Sequence, residues 1–131
     1  MKFLIACALI TAISQTAVAQ TTSEMKEKCK KVLVDRFEWG EVPNYGNIPL
    51  YAFIRNDAPY TLTSASFYFD LYIGEKFKVG DGSAIMGRLM SGITERVPIT
   101  YRVDRDIKSY IEDGAITLTS GINYCTFREN Y

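Results

Sequence analysis

Ala65-Ser66-Phe67-Tyr68-Phe69-Asp70-Leu71-Tyr72-Ile73 sets Ala65, Phe67, Phe69, Leu71 and Ile73 against Ser66, Tyr68, Asp70 and Tyr72 in strict alternation. Side chains project to opposite faces every second residue only in a strand, so this is a β-strand with one core face and one face towards water or a partner. Working outward, Leu50, Ala52 and Ile54 alternate with Tyr51, Phe53 and Arg55. The intervening Asn56-Asp57-Ala58-Pro59 is rich in turn-forming side chains, so the two strands read as a hairpin. Further strands are expected over Val32 to Trp39, over Val97 to Val103 with Val97, Ile99, Tyr101 and Val103 on one side, and over Ala115 to Thr119. Asp81-Gly82 and Asp113-Gly114 are read as turns between such segments. Only Ser23 to Lys31, with Met25 and Cys29 four apart, has a helical look, and it reads equally well as an extended lead-in to the first strand.

The first nineteen residues belong to a different grammar. Lys2 supplies a positive start, Phe3 to Ile13 an apolar run, and Ala17-Val18-Ala19 the small residues of a cleavage site, which together form a secretory signal. The run is too short for the roughly 20 residues that cross a bilayer as a helix, so no membrane insertion is expected. A lipid-attachment reading of Leu4-Ile5-Ala6-Cys7 leaves almost no apolar run before the cysteine. The expected mature chain, residues 20–131, is one domain located in the periplasm or secreted.

Removing Lys2 from 15 basic groups leaves 14 against 15 acidic ones, a formal charge near −1 that implies neither nucleic acid nor an anionic membrane as a partner. Cys7 leaves with the signal, so Cys29 and Cys125 remain in an oxidising compartment, where they are expected to pair; two separate buried thiols are the alternative. Several short strands, with the chain ends tied by a disulfide, favour a two-sheet sandwich over a closed barrel. The fold class read from the sequence is therefore all-β, an immunoglobulin-like or fibronectin-III-like β-sandwich, with the short N-terminal helix as an option.

Phe69-Asp70-Leu71-Tyr72 also resembles the F-x-L-Y core of the FxLYD family of bacterial immunoglobulin-like domains, with Ile73 where that family usually has aspartate. The Ile54-Arg55-Asn56 strand end and the Met90-Ser91-Gly92-Ile93-Thr94-Glu95-Arg96 segment are similar to its layout of strand, turn, long strand and Gly-containing corner, over about Leu50 to Leu118. The resemblance implies a fold and a tendency towards interaction or assembly, and no activity.

Chemistry is bounded mainly by the absence of histidine from the whole chain, which rules out Ser-His-Asp and Cys-His catalysis and an imidazole metal ligand. The cysteines are single and far apart, so neither a C-x-x-C redox pair nor a zinc cage can form. There is no phosphate loop or dinucleotide fingerprint, and no cofactor is expected. Asp104, Asp106, Glu112 and Asp113 are the densest acidic group, the one place for a carboxylate-based cell-wall hydrolase or a calcium loop. The interleaved Arg102, Arg105 and Lys108 favour a self-neutralised turn instead, and Asp104-Arg105-Asp106 lacks the glycine and third acid of a calcium loop. Met86 and Met90 suggest a thioether copper site only weakly, against core packing or a flexible loop.

What rises above this background is aromatic. Tyr51, Phe53, Tyr68 and Tyr72 fall on the non-core parity of two strands expected to be neighbours, and would form one aromatic patch for a protein partner in the envelope, with Arg55 and Asp70 at its margin. Against this, cross-strand aromatic pairs stabilise sheets by themselves, and the Val42 to Ile48 loop offers a cover. The expectation is a non-enzymatic binding or structural module, an inhibitor or immunity-type protein or an assembly subunit. A carrier of a small ligand or metal is the runner-up.

Overall fold

The computed structural model describes residues 27–128; the expected signal segment, the first part of the expected N-terminal helix and the last three residues lie outside them. Residues 27–29 are helical and run through a turn into the first strand. Six strands follow, β1 (Val32–Trp39), β2 (Leu50–Asn56), β3 (Thr61–Ile73), β4 (Phe77–Met86), β5 (Thr94–Val103) and β6 (Ile116–Arg128), with a short helix, Lys108–Glu112, between the last two. The chain is all-β in character, as the alternation predicts. The strands form a curled antiparallel sheet in the order β1-β2-β5-β4-β3-β6.

β5 makes the curl. Its first part, Thr94 to Ile99, pairs with β2, and its last part, Thr100 to Val103, pairs with Gly80 to Ser83 of β4. The backbones are so close there that a Cβ on Gly80 would run into the Arg102 carbonyl, and one on Gly82 would lie 2.8 Å from the Thr100 oxygen. Asp81-Gly82 is therefore the middle of a strand and not a turn: the glycines answer to a close approach of two backbones. Asp113-Gly114 is a turn, with Gly114 at φ 69° after the helix.

The two halves of the sheet face each other across the core. Phe67, Phe69, Leu71 and Leu62 of β3 meet Leu50, Ala52 and Ile54 of β2 and Val97, Ile99 and Tyr101 of β5. Phe37 of β1 stands edge-on to Phe69 at 5.7 Å between ring centroids, linking one half to the other. The Cys29–Cys125 disulfide, Cα atoms 5.8 Å apart, ties the helical residues just before β1 to β6, and β1 and β6 are the strands at the two ends of the order.

The expected β2–β3 hairpin does not form. β2 lies between β1 and β5, and β3 between β4 and β6, so residues 57–60 carry the chain from one half to the other. Asn56 holds this crossing. It is the only buried polar residue among those described. Its Nδ2 donates to the Tyr60 and Leu89 carbonyls, both at 2.9 Å, and its Oδ1 accepts the Ala58 N–H at 3.0 Å. A hairpin turn would need no such link to Leu89, which lies in the connection from β4 to β5.

Candidate interaction surface

The same change of neighbours splits the expected aromatic patch. Tyr51 and Phe53 do lie on the non-core side of β2, and Tyr68 and Tyr72 on the non-core side of β3. Two strands separate them in the sheet, however, and the curl turns the pairs to opposite outer faces.

On the β1-β2-β5 face the rings are already covered. Phe53 pairs in register with Arg36 on one side and Arg96 on the other. The Arg36 guanidinium lies 3.8 Å from the Phe53 centroid and that of Arg96 3.9 Å from the Tyr51 centroid, with Glu38 3.8 Å from Arg96. Flat guanidinium groups stack on ring faces by cation–π attraction and shield them from other contacts. Arg55 is committed as well. Its Nε and Nη2 donate to Asp57 at 2.9 and 3.1 Å and its Nη1 to Asp35 at 2.9 Å, so the hydrogen bonds to Asp57 first of all hold its pKa above the ordinary value. The Val42 to Ile48 loop does not lie over these rings. It packs beside Tyr101, whose hydroxyl donates to the Ile48 carbonyl at 2.7 Å while Asn47 Nδ2 donates to the Tyr101 carbonyl at 3.3 Å. Burial raises the Tyr101 pKa, partly opposed by that bond to Ile48.

The β4-β3-β6 face is different. Ser66 of β3 sits in register between Ile85 of β4 and Tyr124 of β6, and Tyr68, the next outward residue of β3, lies against Gly121, where any side chain would strike its ring. Tyr68 is 47 % exposed, Tyr124 42 % and Ile85 71 %. Three neighbouring strands thus present one large apolar side chain each, around a serine and a glycine. Asp70 and Tyr72 are at the margin, Asp70 paired with Lys78 at 2.9 Å, a hydrogen bond that raises the lysine's pKa. Ile85 and Tyr124 were not anticipated from the sequence. The alternation Ala84, Ile85, Met86 carries the signal for Ile85 once a strand is assigned there, but the glycines before it hide the strand.

The acidic group is dispersed into local roles. Asp104 accepts from Arg105 Nε at 2.7 Å, which depresses its pKa, and Asp106 accepts the Lys108 backbone N–H at 3.0 Å. Asp113 ends the short helix. No three carboxylate or cysteine side chains lie close enough to hold a metal among the described residues. Met86 is in the core, whereas Met90 is exposed. Between the 42–48 loop and the segment after β5 lies a cleft of about 430 Å³, floored by Ile48, Tyr101, Val103, Ile107 and Ile111 with Arg105 and Lys108 at its edge.

Comparison with known proteins gives no matching family model, curated protein or solved structure.

Proposed function

We propose that this chain is an exported, non-catalytic protein-binding module of the bacterial envelope, periplasmic or secreted, and that its partner surface is the outer face of β4, β3 and β6 centred on Tyr68. The observation that carries this reading is the contiguity of Tyr68, Ile85 and Tyr124 on three adjacent strands. Single exposed apolar residues are ordinary, whereas a joined set with tyrosines is enriched at protein interfaces. The secretory signal and the Cys29–Cys125 bridge support an oxidising compartment. The facing halves of the sheet, together with the Phe69-Asp70-Leu71-Tyr72 resemblance to FxLYD domains, support an immunoglobulin-like sandwich as the finer description of the fold.

A carboxylate hydrolase is disfavoured, because Asp104 is engaged by Arg105 at 2.7 Å and Asp106 by the Lys108 backbone N–H at 3.0 Å, which leaves neither as a free partner in a catalytic pair. The alternative with a specific observation behind it is a small-ligand carrier using the cleft beside Tyr101, which combines apolar side chains with the polar edge of Arg105, Asp106 and Lys108.

Substitution separates the two. Tyr68→Ala and Ile85→Asp should leave the thermal midpoint within a few degrees of the parent and weaken capture of a partner from native envelope extract by tenfold or more, since buried interface anchors cost about 2 kcal/mol on truncation. Loss of capture on Ile111→Asp with no effect at Tyr68 and Ile85 would move the site to the cleft.

A further inference from the structure

Among the described residues the sheet has two edges without a partner strand, and they are built differently. β1 carries a bulge between Val34 and Arg36 and three charged side chains, Asp35, Arg36 and Glu38, within eight residues. Bulges and charges are how a free edge is kept from pairing with another chain. β6 has neither device over its first half. It pairs with β3 on one side and, among the described residues, with no strand on the other, and Ile116-Thr117-Leu118-Thr119-Ser120-Gly121-Ile122 contains no charge and no proline. The register slip on β6 comes only afterwards, where Ser66 and Phe67 of β3 pair with Tyr124 and Ile122.

This stretch is self-complementary. Ile116, Leu118, Ser120 and Ile122 lie opposite the core residues Ile73, Leu71, Phe69 and Phe67, whereas Thr117, Thr119 and Gly121 lie opposite the outward Tyr72, Asp70 and Tyr68. An antiparallel copy of the strand, turned about Thr119, sets Ile116 against Ile122, Leu118 against Ser120, Thr117 against Gly121 and Thr119 against itself. Every pair keeps core-side positions with core-side positions and outward with outward, the condition for a stable register. Ile116, Leu118 and Ile122 are only half buried in the single chain, so a second copy has apolar surface to cover as well as backbone groups to bind.

We propose that β6 pairs with β6 of a second copy of this chain, antiparallel about Thr119, joining two curled sheets into one continuous sheet. Little in charge opposes it, since the expected mature chain has a formal charge near −1 and the paired stretch has none. The two Tyr68 faces then flank the junction, so the dimer offers a partner two copies of that surface. A seven-residue ladder is small beside the roughly 800 Å² per partner of a standard interface, the size class of weak and reversible association. This inference stands apart from the function of the Tyr68 face, because it rests on the edge of the sheet and not on its outer surface.

Sedimentation of the mature protein from roughly 5 to 200 µM should show a reversible monomer–dimer equilibrium. Thr119→Lys and Thr119→Glu place like charges opposite each other across the two-fold axis and should each raise the dissociation constant about fivefold or more, whereas an equimolar mixture of the two should recover the parent value or better. Under mild oxidation Thr119→Cys should give a disulfide-linked dimer much faster than Ser83→Cys, which sits outward on the internal strand β4. A monomer at every concentration would overturn the proposal, whether the edge is left to a strand of another protein or to this chain's own terminal segment. Faster linkage through Ser83→Cys would overturn it too, by placing the copies face to face.

Discussion

Replacing Asn56 by aspartate changes one NH₂ group to oxygen at nearly constant shape, and it does so where the fold has no tolerance for the exchange. Asn56 is fully buried, and its Nδ2 is the donor for both the Tyr60 and the Leu89 carbonyl, each at 2.9 Å. A carboxylate keeps the Ala58 N–H but turns a negative oxygen towards two carbonyl oxygens. Each buried group left without a partner costs about 1–3 kcal/mol, so two give roughly 2–6 kcal/mol before the charge itself is counted. Against a total stability of about 5–15 kcal/mol, the variant is close to unfolding at neutral pH. The penalty has a defined pH dependence. Burial and the two carbonyls raise the introduced carboxyl's folded-state pKa above its unfolded value of about 3.9, so the folded state binds the proton more tightly and the loss relative to the parent grows as pH rises from there through the folded pKa. Below that range the neutral acid donates one of the two hydrogen bonds. Urea unfolding of parent, Asn56→Asp and Asn56→Ala between pH 4 and 8 tests this. Asn56→Asp should be the least stable at pH 7 and should overtake or match Asn56→Ala at pH 4. An Asn56→Asp variant as stable as the parent at pH 7, or a loss independent of pH, would refute the clamp.

Two further outcomes follow from the core and the bridge. Phe69→Ala removes a fully buried ring in edge contact with Phe37 and should cost about 3–5 kcal/mol in the same assay, against about 1 kcal/mol or less for the half-exposed Tyr68→Ala; equal losses would reverse the face assignment of β3. The mature protein should show no free thiol under denaturing conditions, and reduction of Cys29–Cys125, which closes a loop with a separation of 96 residues, should lower stability by about 4–5 kcal/mol; two reactive thiols in the untreated protein would remove the bridge.

Properties that depend on a residue's own strand could be read from the sequence. The parity of β3 places Phe67, Phe69 and Leu71 inside and Tyr68 outside, as observed, and the buried set Val97, Ile99 and Tyr101 of β5 follows the same rule. Strand partnership could not be read that way. Asn56-Asp57-Ala58-Pro59 has turn chemistry whether the chain turns back on β2 or crosses to the other half, and the deciding bond, Asn56 to Leu89, spans 33 residues. Gly80 and Gly82 resemble turn residues for the same reason: what they accommodate is the Arg102 and Thr100 backbone, invisible until β5 is placed beside β4.

This also explains why the aromatic residues divide as they do. Counting tyrosine and phenylalanine on outward positions treats Tyr51, Phe53, Tyr68 and Tyr72 as equivalent, yet what is left for a partner is the ring area that the fold has not already used. β2 runs between two strands that bring Arg36 and Arg96 onto Phe53 and Tyr51, so those rings spend their faces on holding β1, β2 and β5 together. β3 meets β6 at Gly121 and β4 at Ser83, opposite Tyr68, and neither neighbour has a side chain large enough to cover the ring. Small residues beside an outward tyrosine leave its surface open just as arginines close it. The identity of the cross-strand neighbour, more than the aromatic residue itself, therefore separates a sheet-stabilising ring from a binding one, and that neighbour is fixed only by the order β1-β2-β5-β4-β3-β6.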